Sequence, residues 1–229
     1  MRGFVAAAIL LASFALLSPS EAHADMLLSQ VIVDLEPSEA PREDIEVYNT
    51  GSERMYVSVE PFEILNAGTK DESRFDARDP SKSNLLVSPQ RIVLSPGERR
   101  MIRVAVAGGR PLRERVYRIA IKPVAGDVIS DLNAVKVLVG YDVLVLVRPA
   151  QANGELTGQR VGRNLVVRNE GNSSMEIFDG LQCDRDGNDC RSLPAKRLYA
   201  GASWEVALPH DAPAHYSAAR GSSVTKMSF

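Results

Sequence analysis

One stretch constrains this chain more than any other: Ala134–Pro149, AVKVLVGYDVLVLVRP. It is β-branched almost throughout, and Gly140 is its only turn residue. Side chains alternate across a strand, so Val135, Val137, Val139, Tyr141, Val143, Val145 and Val147 form one apolar row. The other row changes character along its length. Ala134, Lys136, Leu138 and Gly140 precede Asp142, Leu144 and Leu146. The end facing Pro149 is expected to be buried on both faces. The leading end has one apolar row and an edge open to pairing. A long apolar edge strand is a hazard for a soluble protein unless it is covered or pairs with another chain.

The chain has 229 residues, and its beginning reads as a targeting segment rather than fold. A basic start at Arg2, an apolar run Phe4–Leu17 and the small-residue triplet Ala22-His23-Ala24 match a secretory signal peptide cleaved after Ala24. A run of about 14 residues is short of the ~20 needed to span a bilayer. No membrane anchor is expected after cleavage, and the mature chain is expected in an exported, oxidising compartment. The formal net charge is −2, which gives no electrostatic reason for a nucleic-acid partner. In such a compartment Cys183 and Cys190, the only two cysteines, are expected to pair across the Asp-Gly turn between them.

Alternating segments recur: Asp44–Asn49, Arg54–Leu65, Leu85–Val87, Arg91–Leu94, Arg99–Ala107 and Val116–Val124. Asp25–Leu35 adds a mostly apolar run. Asn49-Thr50-Gly51, Ser95-Pro96-Gly97 and Gly108-Gly109 punctuate the series, and Pro61 marks a bulge or edge position. Asn66–Ser83 has no periodicity and reads as a loop. About seven strands without an amphipathic helix predict an antiparallel sandwich. Pro149–Gly154 reads as a linker. Shorter strands follow at Asn164–Asn169, Ser174–Phe178, Leu198–Tyr199, Trp204–Leu208, His215–Arg220 and Val224–Phe229. The fold class is therefore all-β, with two immunoglobulin-like β-sandwich domains, residues 25–149 and 150–229 after a signal peptide at 1–24. The second domain is smaller, and a small core gains from a disulfide staple.

The residues offer little for catalysis. Beyond the signal segment the histidines are His210 and His215. Ser203, His210 and Asp211 lack nucleophile-elbow spacing, and no enzymatic role is assigned. Asp184–Asp189 (DRDGND) lacks the terminal bidentate Glu of a calcium loop and contains Arg185, so it reads as a turn and not a metal site. No cofactor is expected. Arg99, Arg100, Arg103, Arg110, Arg113, Arg115 and Arg118 form a basic cluster. Part of it belongs to a solvated sheet face, and the rest is placed to line a cleft beside the opening stretch.

Three segments together resemble the periplasmic pilus-assembly chaperones of the PapD-like family. They are Asn84–Val104 (NLLVSPQRIVLSPGERRMIRV), Tyr117–Pro123 with the strand ending Val147-Arg148-Pro149, and Gly180–Pro209 with Leu198-Tyr199-Ala200-Gly201 and Trp204. The resemblance implies a chaperone without cofactor that pairs a strand of its first domain with a pilus or secreted coat subunit, then hands it to an outer-membrane usher. It places the donated row on Val135, Val137 and Val139. It also implies two basic groups that hold the subunit's terminal carboxylate, at positions that fall near Ile32 and near Leu144. Neither residue is basic, which leaves three readings: Arg118 or Arg148 substitutes, the chain is a divergent member without the anchor, or the fold serves a different partner. The alternative is a structural or adhesive immunoglobulin-like exported protein without chaperone activity.

Overall fold

Alternation decides most of the first domain. In β3 (Arg42–Asn49), Ile45, Val47 and Asn49 point inward, and in β4 (Met55–Leu65) Val57, Val59 and Pro61 do so. A computed structural model describes residues 25–124 and 138–229. The expected signal segment lies outside the described residues, as do Val135 and Val137. Strands β1 (Met26–Leu28), β3, β8 (Arg99–Val106) and β6 (Leu85–Ser88) form one sheet in the order β1-β3-β8-β6. The facing sheet has the order β2-β10-β9-β4-β5, from β2 (Ile32–Leu35), β10 (Tyr141–Val147), β9 (Arg115–Val124), β4 and β5 (Ser73–Asp76). β7 (Arg91–Leu94) also pairs with β4. Between the sheets lies one buried cluster that includes Ile45, Val47, Ile102, Tyr117, Ile119, Val143, Val145 and Val147. At roughly 1.5–3 kcal/mol per buried large aliphatic side chain, this cluster dominates the favourable side of the domain's folding energy.

The second domain repeats the plan on a smaller scale. One sheet is β11 (Leu156–Val161), β12 (Asn164–Asn169) and β16 (Ser203–Ala207). The other is β14 (Cys190–Leu193), β13 (Met175–Cys183), β17 (Ala214–Arg220) and β18 (Ser223–Ser228), with β15 (Lys196–Leu198) also on β13. Its core holds Leu165, Val167, Ile177, Leu198, Tyr216 and Ala218. Cys183 and Cys190 face each other across β13 and β14 and are bonded, so the staple stands where the sequence placed it.

A shared corner shows that the domains are built alike. Asn49 ends β3 and is fully buried; Asn169 ends β12 and is fully buried. Each side-chain oxygen accepts the N–H of the glycine two residues on, Gly51 at 3.0 Å and Gly171 at 2.9 Å. Each backbone oxygen accepts a second glycine from a distant turn, Gly97 at 2.9 Å and Gly201 at 2.8 Å. Gly97 and Gly201 have φ of 73° and 77°, which only glycine adopts freely. The Asn-x-Gly pairs are thus corner pieces that satisfy buried polar groups at matching places in the two sandwiches.

Several expectations need correction. The apolar run Asp25–Leu35 is not one strand: β1 and β2 lie in opposite sheets. The supposed loop Asn66–Ser83 contains β5 and a single helical turn at Pro80–Ser83, capped by Asp79. Ser95-Pro96-Gly97 does turn the chain, with Glu98 N–H donating to Ser95 O at 3.0 Å, but it carries the chain from one sheet to the other. The strand expected over 134–149 begins only at Tyr141 among the described residues; Leu138–Gly140 precede it outside any ladder. Its later half is as expected, since Val143 to Val147 are all buried. Pro61 pairs with Ile119 on one side and falls on the other between the stretches of β4 taken by β7 and β5, an edge position. Among the described residues no helix is long and apolar enough to cross a membrane.

Candidate functional site

The site begins with an incomplete edge. β9 flanks β10 from Tyr141↔Ile121 to Val147↔Arg115. On the other side β2 runs parallel and covers only Leu144–Val147. The reason lies in how the first strand changes sheets. Ser29 N–H donates to Glu46 O at 3.0 Å, Glu46 N–H donates to Ser29 Oγ at 2.9 Å, and the Gln30 amide donates to Asp44 O at 3.3 Å. These bonds keep residues 29 and 30 on β3. The chain reaches β10 only at Val31, whose carbonyl accepts Leu144 N–H at 3.0 Å. No described strand pairs with Tyr141–Val143 on that side. Tyr141 closes the seam from within, its hydroxyl donating to Met26 O at 2.9 Å.

Exposed apolar groups gather at this opening. Val31, Ile32, Leu138 and Val139 are 50%, 47%, 39% and 48% exposed. Gly140 lets the incoming chain approach β9: a Cβ there would meet Lys122 Cγ at 3.1 Å and Ile121 O at 3.2 Å. Of the expected donor row Val135, Val137 and Val139, the last is described, and it is exposed beside the open edge.

The outer face of the same sheet turns toward the second domain. Register aligns Ile32, Leu144, Arg118, Phe62 and Asp76 across β2, β10, β9, β4 and β5. The two positions at which basic groups were expected, Ile32 and Leu144, therefore share a row with Arg118. Arg118 is half-buried and donates to Asp142 O at 3.2 Å. Among the described residues it has no carboxylate partner. Its charged neighbours are committed elsewhere. Arg74 pairs with Asp142 at 2.8 Å and stacks on Phe62 at 4.2 Å, Lys122 pairs with Glu60 at 2.9 Å, and Asp76 is held by Arg78. A groove of about 600 Å³ runs along this face, with Phe62, Arg74, Lys122, Leu138 and Asp142 among its walls. At the domain junction Leu144, Leu146, Val116 and Ala67 form a small cluster, against which Tyr199 of the second domain packs.

Arg148 lies elsewhere and does something else. Its guanidinium makes two 2.7 Å bonds to Asp34 and donates to Glu114 Oε2 at 2.6 Å, Ser173 Oγ at 2.9 Å and Ser174 O at 2.8 Å. Burial opposes the charge, but the bonds to Asp34 and the fields of Glu114 and Asp34 prevail and hold it protonated. Glu114 Oε2 also accepts Ser174 N–H at 2.9 Å and Ser173 Oγ–H at 3.0 Å. This network ties β10 to the second domain and leaves Arg148 little to offer a ligand. Arg118, the other basic residue singled out, lies in the row of Ile32 and Leu144. The sequence named both arginines without distinguishing them; only the β9–β10 register does.

His210 is set against Gln182, whose side chain takes its N–H at 3.0 Å and donates to its carbonyl at 3.0 Å. His215 lies on β17 opposite Ser228. Both belong to the second sandwich. Asp184 accepts Asn188 N–H at 2.8 Å within its turn.

No protein-family model matches the chain. A protein of the CFA/I fimbriae of Escherichia coli, named as one of their subunits, is 26% identical over 202 residues, 83% of each chain. The crystal structure of the class 5 fimbriae chaperone CfaA superposes with a TM-score of 0.67 at 21% identity, covering 89% of this chain and 98% of that one. The chain has the fold of the fimbrial chaperones. A second structure, from a chaperone–tip adhesin complex of CFA/I fimbriae, has a TM-score of 0.65 at 20% identity and covers 90% of this chain and 98% of that one. These matches span both sandwiches, so the likeness includes the junction at which Arg118 and Arg148 lie.

Proposed function

We propose that this protein is a periplasmic chaperone that holds pilus or coat-type secreted subunits by lending them a strand, before delivery to an outer-membrane usher. Residues 1–24 are removed on export, 25–149 form the chaperone domain and 150–229 the second domain. The observation that carries the proposal is the uncovered edge of β10 ahead of Leu144, flanked by exposed Val31, Ile32 and Val139. Strand addition at such an edge draws affinity from main-chain hydrogen bonds and fit from alternate side chains. Val135, Val137 and Val139 supply the apolar row. A subunit with one strand missing needs that row to fill its groove, and each valine buried contributes on the order of 1.5–3 kcal/mol before ordering costs.

Arg118 is the basic group of the cleft. A strand added to the open edge cannot pass Leu144, because β2 occupies the edge from there on. If it runs parallel to β10, its C-terminus arrives in the row of Arg118, the one cation of that row without a counter-charge among the described residues. A terminal carboxylate is the complementary group. The usher needs a surface that the bound partner leaves free. Val93, Tyr56 and Val124 are neighbours across β7, β4 and β9, and all are about half exposed.

The test is co-expression with a candidate subunit encoded beside this gene. Val139→Asp is expected to abolish co-purification, since it places a charge in an apolar groove, while circular dichroism of the isolated variant stays unchanged. An undiminished yield of complex would sink the proposal.

A further inference from the structure

Arg118 has no carboxylate partner among the described residues, yet a bound carboxylate has two oxygens to satisfy. From the second domain, Tyr199 approaches the neighbours of Arg118. It follows β15 directly, and its ring packs on the cluster formed by Leu144, Leu146 and Val116. Leu144 is the cross-strand neighbour of Arg118, and Val116 lies two residues before Arg118 on β9. The ring is held from the other side by the turn between β4 and β5. Gly68, at φ 72°, comes so close that a Cβ would lie 2.9 Å from Tyr199 Cδ2. That turn is itself tied down, with Gly68 N–H donating to Glu72 at 2.7 Å and Thr69 N–H to Asn66 O at 3.1 Å. The aromatic body is thus wedged in place, whereas its hydroxyl has no hydrogen-bond partner among the described residues.

We propose that Tyr199 is the second half of the carboxylate site, its hydroxyl donating one hydrogen bond to a terminal carboxylate whose charge Arg118 neutralises. The assignment rests on the strand-lending function above. It makes the site bipartite, with the cation on β9 of the first domain and the neutral donor on the second. A phenol suits the place. It supplies a directed hydrogen bond without bringing a second cation into a half-buried cleft, where desolvation would penalise it. Burial pushes the Tyr199 hydroxyl up from its ordinary pKa, although Arg118 and Arg197 pull the other way. It therefore remains a proton donor throughout the neutral range. Because the donor comes from the second domain, carboxylate recognition also depends on the angle between the domains.

The experiment uses the full mature chain and a synthetic peptide that reproduces the last strand of a co-purifying subunit, made once as the free acid and once as the C-terminal amide. Isothermal titration gives the acid-to-amide affinity ratio. The wild-type protein is expected to favour the acid by about tenfold or more, the scale of a hydrogen-bonded charge. Tyr199→Phe retains the ring's packing, so thermal unfolding should not move. The ratio should fall about fivefold or more, with amide affinity unchanged. A ratio in Tyr199→Phe equal to that of the wild-type protein overturns the role of Tyr199 and leaves the strand-lending function intact. Equal wild-type affinity for acid and amide overturns the carboxylate site as a whole. If the wild-type protein binds neither peptide and Val139→Asp still co-purifies with its partner, the underlying function itself fails.

Discussion

Arg148, just past the end of β10, and Arg118, on the neighbouring β9, occupy opposite electrostatic situations. The Arg148 side chain is 6% exposed and meets two carboxylates, one of them, Glu114, 1% exposed. Arg118 is half-buried, bonds one carbonyl and shares a row with Ile32 and Leu144. The first has its donors matched by acceptors and joins two domains. The second bonds a single carbonyl and has no carboxylate partner among the described residues. A basic residue near a cleft is thus informative only once its partners are counted, because the same guanidinium serves as a structural rivet when saturated and as a receptor when not.

The largest effect should come from breaking the rivet. Arg148→Met leaves Glu114 and Asp34 without their cation, and an uncompensated buried charge typically costs about 3–5 kcal/mol. Urea unfolding should show that loss. A second variant that also converts Glu114 to Leu should recover part of it, because replacing both partners removes the stranded charge. A cost below about 1 kcal/mol for Arg148→Met, the range of exposed pairs, would erase the distinction between the two arginines.

Next in size is the staple, which lies away from both arginines. Replacing Cys183 and Cys190 with serine should cost about 2–3 kcal/mol in unfolding, as expected for a short closed loop. Capture of the secreted partner should survive. Loss of capture in a variant that is still folded would mean that the second domain's far end takes part in binding.

Arg118→Met should do the reverse of Arg148→Met. Stability should change by no more than about 0.5 kcal/mol, as for surface substitutions without buried partners. The affinity for a free-acid strand peptide should drop by about tenfold or more, with little change for the amide. Destabilisation equal to that of Arg148→Met would place Arg118 among the structural groups.

Much of this fold was legible in the sequence, and the omissions share a cause. β3, β9 and β12 could be read because their inward positions alternate with polar ones. β5, β11 and β14 were missed. Each lies at an end of its sheet, and each buries one residue or none, so there is no period to detect. The split of the first apolar run into β1 and β2 was hidden for a different reason. It is decided by bonds from Ser29 and Gln30 to β3, residues distant in sequence. The same holds for the site. The open edge was visible as an apolar row without a matching second row. The place of Arg118 depended on the pairing register of β9 with β10, which composition does not encode. Tyr199 packs on Leu144 and Val116 only because two domains meet there.

The smallest effect concerns the far end of the Arg118 row. Asp76 lies opposite Phe62 on β5 and is exposed. Its carboxylate accepts from the Arg78 side chain and from Arg78 N–H at 2.9 Å. The side-chain bonds come first among the causes that lower its pKa from 3.8 to about 2. The folded protein therefore holds this proton less tightly than the unfolded chain does. Its contribution to stability is complete above about pH 4 and disappears as the pH falls toward 2. Asp76→Asn should be slightly less stable than the wild-type protein at pH 6, and the difference should vanish near pH 2. Nuclear magnetic resonance titration of the Asp76 carboxyl gives the same answer directly, and a midpoint near 4 would refute it. Since Arg78 satisfies Asp76, the variant should leave the acid-to-amide preference of the cleft unchanged. A weaker or stronger preference would show that Asp76 shares in setting the charge around Arg118, and that the row acts as one electrostatic unit from β2 to β5.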